Sequence, residues 1–192
     1  MKKLLLHSCC APCSSAVLER LGQEYHVTIY YYNPNIDGVV EFERRAVELG
    51  KLKNIPMKYG YDVVVEEYDP DEYDEAVRGF EDLGEGSQRC WRCYELRMRR
   101  TAEYAARRGF EVFTTTLSVS PHKKAAWIGE IGRKLAAEFG VAYLDEDFKK
   151  HDGYKRSIEL SRELGLYRQD YCGCKYSKAE VAARRAKTIV AS

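Results

Sequence analysis

Apolar positions along the chain change period repeatedly, and each change marks an element. Lys3 to His7 is a short apolar run of strand character, and Cys13 to Gly22 follows with Val17 and Leu21 one helical turn apart and Gly22 as a stop. His26 to Tyr32, rich in β-branched and aromatic residues, predicts a second strand that ends in the chain-breaking Asn33-Pro34-Asn35. Helical spacing returns from Glu41 to Lys53. A strand near Pro56 to Val65 comes next, then a helix around Asp71 to Arg78 and a long helix from about Arg92 to Arg108. The pattern continues with a strand from Glu111 to Leu117, a helix from Pro121 to Phe139 and a last strand from Val141 to Leu144. Two more helical segments, His151 to Gly165 and Lys178 to Lys187, close the chain. Strands alternating with helices predict an α/β fold with a parallel sheet flanked by helices. The C-terminal segment, about 151–192, is expected to lie across the edge of the sheet or its active end. In such sheets ligands bind beyond the carboxyl ends of the strands. Ser8 to Ser14, Asn33 to Gly38 and Thr115 to His122 all follow strands and are expected to line one crevice.

Length narrows this picture: 192 residues with 45% hydrophobic content can bury one substantial core, so residues 1–192 are read as a single domain. No apolar run approaches the roughly 20 residues of a membrane span. Met1-Lys2-Lys3-Leu4-Leu5-Leu6 runs at once into His7-Ser8-Cys9, which does not read as a secretory signal, and a soluble, cytoplasmic protein is expected. Formal net charge is only +1, so affinity for nucleic acid would have to come from a local basic patch.

Seven cysteines form three tight clusters: Cys9-Cys10-x-x-Cys13, Cys90-x-x-Cys93 and Cys172-Gly173-Cys174. An odd count in a chain read as cytoplasmic favours thiolate chemistry over structural disulfides. Cys90-Trp91-Arg92-Cys93 stands at the start of the long helix, where free N–H groups and the helix dipole favour thiolates, and its spacing suits zinc, an iron–sulfur cluster or a thiol–disulfide couple. Cys9-Cys10 supplies a second pair for a metal. The alternative knuckle Cys10-x-x-Cys13 would leave Cys9 without a role, and Cys13 also reads as a small core residue. Cys172-Gly173-Cys174 differs in kind: a disulfide across one residue closes a strained, readily exchanged ring, and Gly173 gives the backbone the freedom it needs.

Four segments together resemble the epoxyqueuosine reductase QueH family: His7-Ser8-Cys9-Cys10-Ala11-Pro12-Cys13, Arg89-Cys90-Trp91-Arg92-Cys93-Tyr94, Thr115 to Lys123, and Leu166 to Cys174. The resemblance runs to about Ser177. It implies a HUP-like (adenine-nucleotide α-hydrolase-like) domain and an oxidoreductase that removes the epoxide oxygen of epoxyqueuosine in tRNA, the last step of queuosine biosynthesis, without cobalamin. Where ATP-using relatives of that fold carry a glycine-rich phosphate loop, this chain has Ser8-Cys9-Cys10-Ala11-Pro12-Cys13-Ser14, which argues against ATP use. The resemblance further implies a [4Fe–4S] cluster on Cys9, Cys10, Cys90 and Cys93, a redox-active pair at Cys172 and Cys174, and a mononuclear iron beside the cluster. Cys13, Asp69 and Asp37 are candidate ligands of that iron.

Opening an epoxide to an alkene takes two electrons and two protons. Tyr171, His122 and His7, in or beside the motifs, are candidate proton donors, and an electron donor is needed as a partner. For tRNA, Arg92, Arg99, Arg100 and Arg107 spread over the arc of the long helix opposite Tyr94, Met98, Thr101 and Ala105. Lys123 and the basic C-terminal residues add charge near the motifs. Two other classes predict different behaviour. A zinc-stabilised nucleotide-binding or tRNA-thiolating enzyme would be colourless and need ATP, and a zinc-dependent RNA-binding module would leave Cys172-Gly173-Cys174 without a role.

Overall fold

A computed structural model describes residues 2–190; the last two residues of the expected C-terminal segment lie outside it. Five parallel strands form one sheet: β1 (Lys2–His7), β2 (Tyr25–Tyr31), β3 (Tyr61–Val65), β4 (Val112–Thr115) and β5 (Ala142–Tyr143), in the order β3-β2-β1-β4-β5. Seven α-helices flank it among the described residues: α1 (Ala11–Leu21), α2 (Val39–Glu48), α3 (Pro70–Ala76), α4 (Gln88–Arg108), α5 (Ala125–Phe139), α6 (Gly153–Glu163) and α7 (Lys175–Val190). This is the doubly wound arrangement, with β1 at its centre and the switch point between β1 and β4.

The central strand shows why the chain folds this way. Leu4, Leu5 and Leu6 are all fully buried, as expected of a parallel strand covered on both faces. Leu4 and Leu6 join a core with Val17, Leu18, Ile29 and Leu49. Leu5 points to the other side, where it joins Met98, Ala102, Phe113, Ile128 and Leu135. Helices α1, α2 and α6 thus cover one face and α4 and α5 the other. Beneath α5 the approach is close enough that a Cβ on Gly132 would stand 2.2 Å from the Tyr143 ring. On the opposite face α6 is tied to α1 by Arg156, whose guanidinium grips Glu19 at 2.7 and 2.9 Å.

Several boundaries differ from the sequence expectation. The predicted helix over 41–53 becomes α2 and then a 3-10 turn over Leu49–Asn54. The strand expected from Pro56 is confined to Tyr61–Val65, the only part in register with β2. Likewise β4 ends at Thr115, where the Thr115 hydroxyl accepts the Leu117 N–H and opens a 3-10 turn over Thr116–Val119. No helix is long and apolar enough to cross a membrane among the described residues.

Candidate active site

All seven cysteines lie just before, or within the first two turns of, three helices. Cys10 is the N-cap of α1, with Cys9 before it and Cys13 in the first turn. Cys90 and Cys93 occupy the first two turns of α4, and Cys172-Gly173-Cys174 leads directly into α7. Unpaired N–H groups and the positive dipole end favour a thiolate at such positions. Gly86 N–H donates to Cys90 Sγ at 3.3 Å, and Ser177 N–H donates to Cys174 Sγ at 3.4 Å.

Cys9, Cys10 and Cys13 form the one group of three metal-binding side chains found among the described residues, their sulfurs all within 4.8 Å of one another. Cys9 and Cys10 sulfurs are 3.8 Å apart. Because the Cys10 and Cys13 thiols hydrogen-bond to it, Cys9 is held well below the usual thiol range, while Cys13 is raised well above it. Cys90 and Cys93 stand outside this compact group. Burial pushes Cys93 up to about 12, with the neighbouring Arg97 pulling the other way.

Two cations tie the groups together. Lys123 loses by desolvation, yet the negative charge available at Cys172, Cys9 and Cys13 outweighs that and holds the ammonium above its ordinary range. Arg97 is 1% exposed. Its charge is reinforced by Cys93, Cys9 and Cys172 against the same burial penalty. A cavity of about 260 Å³ opens beside these groups, and its walls include Cys9, Lys123, Gln169, Tyr171, Cys172 and Arg184. Residues from Arg168 to Arg184 border this cavity, while α6, also within the expected C-terminal segment, packs on α1.

The residue chemistry fits an anionic, sulfur-ligated centre. Soft thiolates suit iron and zinc. The buried Arg97 has no carboxylate partner among the described residues and leaves its Nε–H unpaired, so this part of the protein holds positive charge that a metal–thiolate centre would balance.

The other candidate residues divide. His122 and Tyr171 line the cavity; His7 does not. His7 is fully buried, with Nδ1 2.9 Å from Thr115 Oγ1 and Nε2 3.2 Å from the Tyr32 carbonyl oxygen, and burial with the Arg97 charge lowers it to about 3. Both ring nitrogens are occupied, so His7 packs the β1–β4 junction away from the cavity. Asp69 is exposed and accepts the Asp71 N–H as the N-cap of α3. Asp37 is bridged to Lys178 at 2.9 Å. Of the candidate ligands for a second iron, the structure therefore brings only Cys13 to the Cys9-Cys10 turn.

Along α4 the basic arc is largely neutralised. Arg99 is paired with Glu138, Arg100 with Glu72, and Arg92 with Glu95 at 3.7 Å. Arg107 lies at the C-terminal end of α4, where the chain turns back into β4, at the opposite end of the sheet from the cysteines. Sequence reasoning missed Arg97 and Arg45 altogether. Arg45 is also 1% exposed; its Nε donates to Glu41 at 2.6 Å and its Nη1 to the Cys172 carbonyl at 3.2 Å. A signal existed, since Arg97 falls on the buried stripe of α4, three residues after Tyr94 and four before Thr101.

Comparison with known proteins adds an independent line. A family model described as "Epoxyqueuosine reductase QueH" matches residues 4–180. Curated relatives bearing the same description include one from Streptococcus pyogenes serotype M1, 41% identical over 91% of this chain and 69% of its own length. Another, from Thermotoga maritima, is 38% identical over 97% of this chain and 96% of its own length. A third, from Staphylococcus epidermidis, is 39% identical over 91% and 76%. Among solved structures, a chain described as a predicted subunit of tRNA methyltransferase from Methanocaldococcus jannaschii superposes with a TM-score of 0.48 and 13% identity, over 85% of this chain and 76% of that one.

Proposed function

This chain belongs to the epoxyqueuosine reductase QueH family and is an oxidoreductase of that kind, and on this premise we propose that it works in the cytoplasm through an iron–sulfur cluster held by Cys9, Cys10, Cys90 and Cys93. The reaction converts epoxyqueuosine in tRNA to queuosine, the last step of queuosine biosynthesis: two C–O bonds break, two electrons and two protons enter, and the oxygen leaves as water. The observation that carries the cluster reading is the meeting of thiol-bearing helix N-termini around a buried guanidinium with no carboxylate partner among the described residues. Cys13, third of the compact trio, is the candidate ligand for an adjacent iron. When bound, a cluster supplies electrons one at a time and a neighbouring metal polarises the epoxide oxygen.

The protein's own groups supply the rest. Lys123, on the cavity wall with no carboxylate partner among the described residues, is suited to balance the negative charge that an epoxide oxygen bound in the cavity would gain. Tyr171 and His122 border the same space and are the remaining proton-donor candidates. Cys172 shares that wall with Cys9, which suits Cys172 and Cys174 to refill the site with electrons from an external donor. Anaerobically reduced protein incubated with epoxyqueuosine-containing tRNA, with neither ATP nor cobalamin, is expected to yield queuosine by nucleoside mass spectrometry. Epoxyqueuosine that persists with reduced, iron-loaded protein refutes the reading.

For tRNA, part of the unpaired positive charge borders the cavity. Lys123, Lys124, Arg168, Arg184 and Lys187 form no ion pair among the described residues, and Arg168 and Arg184 line the cavity itself. Phosphate contacts there would set register while the modified base is splayed into the cavity. Reversing charge at Arg184 and Lys187 together is expected to weaken tRNA binding on the order of tenfold and to flatten its salt dependence, by about 0.7–0.9 in log–log slope for each phosphate that the variant no longer neutralises. Arg107→Glu is expected to change neither. Equal effects of both changes in a binding titration across salt concentrations would move the docking surface back to α4.

A further inference from the structure

Arg97 carries an inference that rests on the iron–sulfur reading and goes beyond it. The side chain stands one helical turn beyond Cys93 on α4 and is completely enclosed. Nη2 donates to Asn33 Oδ1 at 2.7 Å, and Nη1 reaches Cys93 Sγ at 3.7 Å. Asn33 in turn donates through Nδ2 to the Ser8 carbonyl at 2.8 Å, one residue before Cys9. A chain of polar contacts therefore links the β1–α1 cysteine turn to the first turns of α4, with a full positive charge in its middle.

The charge has no conventional partner. Its hydrogen-bond acceptors are a neutral amide and a sulfur, and its Nε–H is buried without any acceptor among the described residues. Removing an unpaired guanidinium from water is strongly unfavourable, so the site is built for negative charge at the sulfurs around it. Arg45 provides the contrast, since Glu41 already neutralises it. Reduction of a thiolate-bound cluster adds one more negative charge, and both N–H···S contacts and nearby buried positive charge favour the reduced form.

We propose that Arg97 is a positioning residue that raises the reduction potential of the centre held at Cys93, with Asn33 fixing the guanidinium against that sulfur. Arginine is required because its planar fork reaches Asn33 and Cys93 together, which a lysine ammonium on a flexible stem does not reproduce.

Spectroelectrochemical titration of the anaerobically purified full chain, with iron and sulfide measured on the same samples, tests this. Arg97→Gln is expected to shift the midpoint negative, so that at the wild-type midpoint the reduced-to-oxidised ratio falls about tenfold, or about 59 mV for a one-electron couple. Arg97→Lys should fall between the two, and Arg99→Gln, on the solvent side of α4, should not move the midpoint. A cluster-loaded Arg97→Gln protein with the wild-type midpoint overturns the proposal. Should that variant fail to accumulate, Asn33→Ala decides, because it keeps the charge but releases the guanidinium from its place: a negative shift supports the proposal and an unchanged midpoint overturns it. Wild-type protein lacking iron and sulfide sinks both this inference and the cluster reading, whereas a normal cluster with an unmoved midpoint sinks this inference alone.

Discussion

Serine in place of Cys9, Cys10, Cys90 or Cys93 is expected to deplete iron and sulfide from anaerobically purified protein and to lower reductase activity by on the order of 100-fold or more, beyond the 10–100-fold typical of residues that only support a ligand. The four differ in setting but share a reason. Cys9 and Cys10 sit side by side at the α1 N-terminus, and Cys90 and Cys93 sit in the opening turns of α4. A single ion would be held by Cys9, Cys10 and Cys13, whose sulfurs all lie within 4.8 Å of one another, and would leave Cys90 and Cys93 outside its ligand set, whereas a cluster on the four would need them both. Cys13→Ser discriminates between the two kinds of site: it is expected to keep the cluster's absorption while losing part of the iron. Unchanged iron and spectra in all four ligand variants would refute the assignment. Zinc at one equivalent, with colourless protein, would return the chain to the structural-metal alternative.

Much of this arrangement is legible in the sequence because backbone periodicity and strand-end placement are local properties. The triple leucine of β1, the stop at Gly22 and the Asn33-Pro34-Asn35 break are enough to place the motif-bearing turns at one end of a parallel sheet. The charges are another matter. Arg99 and Arg100 look free on a helical wheel because Glu138 and Glu72 reach them from α5 and α3, and pairing across elements leaves no periodic trace. His7 ends an apolar strand at the active end and looks catalytic, yet Thr115 and the Tyr32 carbonyl occupy both its nitrogens from neighbouring strands. Arg97 and Arg45 fail in the opposite sense: a residue type that is almost always exposed is enclosed here, Arg45 against Glu41 and Arg97 against Asn33 and the Cys93 sulfur.

The dithiol offers the sharpest separation of roles. Gly173 holds φ +128°, and a Cβ there would lie 2.9 Å from Arg45 Nη1, whose hydrogen bond to the Cys172 carbonyl fixes the loop. Ser177 braces the same loop twice: its Oγ accepts the Cys172 N–H at 3.1 Å and its own N–H reaches Cys174 Sγ. Burial raises Cys174, with the charge at Cys172 adding to the effect, while Cys172 faces the cavity that Cys9 also lines. One thiol is thus sheltered and one presented, an arrangement suited to a couple that accepts electrons from outside and delivers them inward. Cys172→Ser and Cys174→Ser are expected to retain iron, sulfide and tRNA affinity and to complete a first turnover when two equivalents of a one-electron reductant are supplied per centre, with later turnovers slowed about tenfold or more. Mass mapping of oxidised wild-type protein is expected to find the two residues linked, and a mild dithiol to release them. Full multiple turnover by the double serine variant would remove the relay role. Iron lost from either single variant would instead assign that sulfur to the metal site, because a pure relay cysteine has no part in holding the cluster.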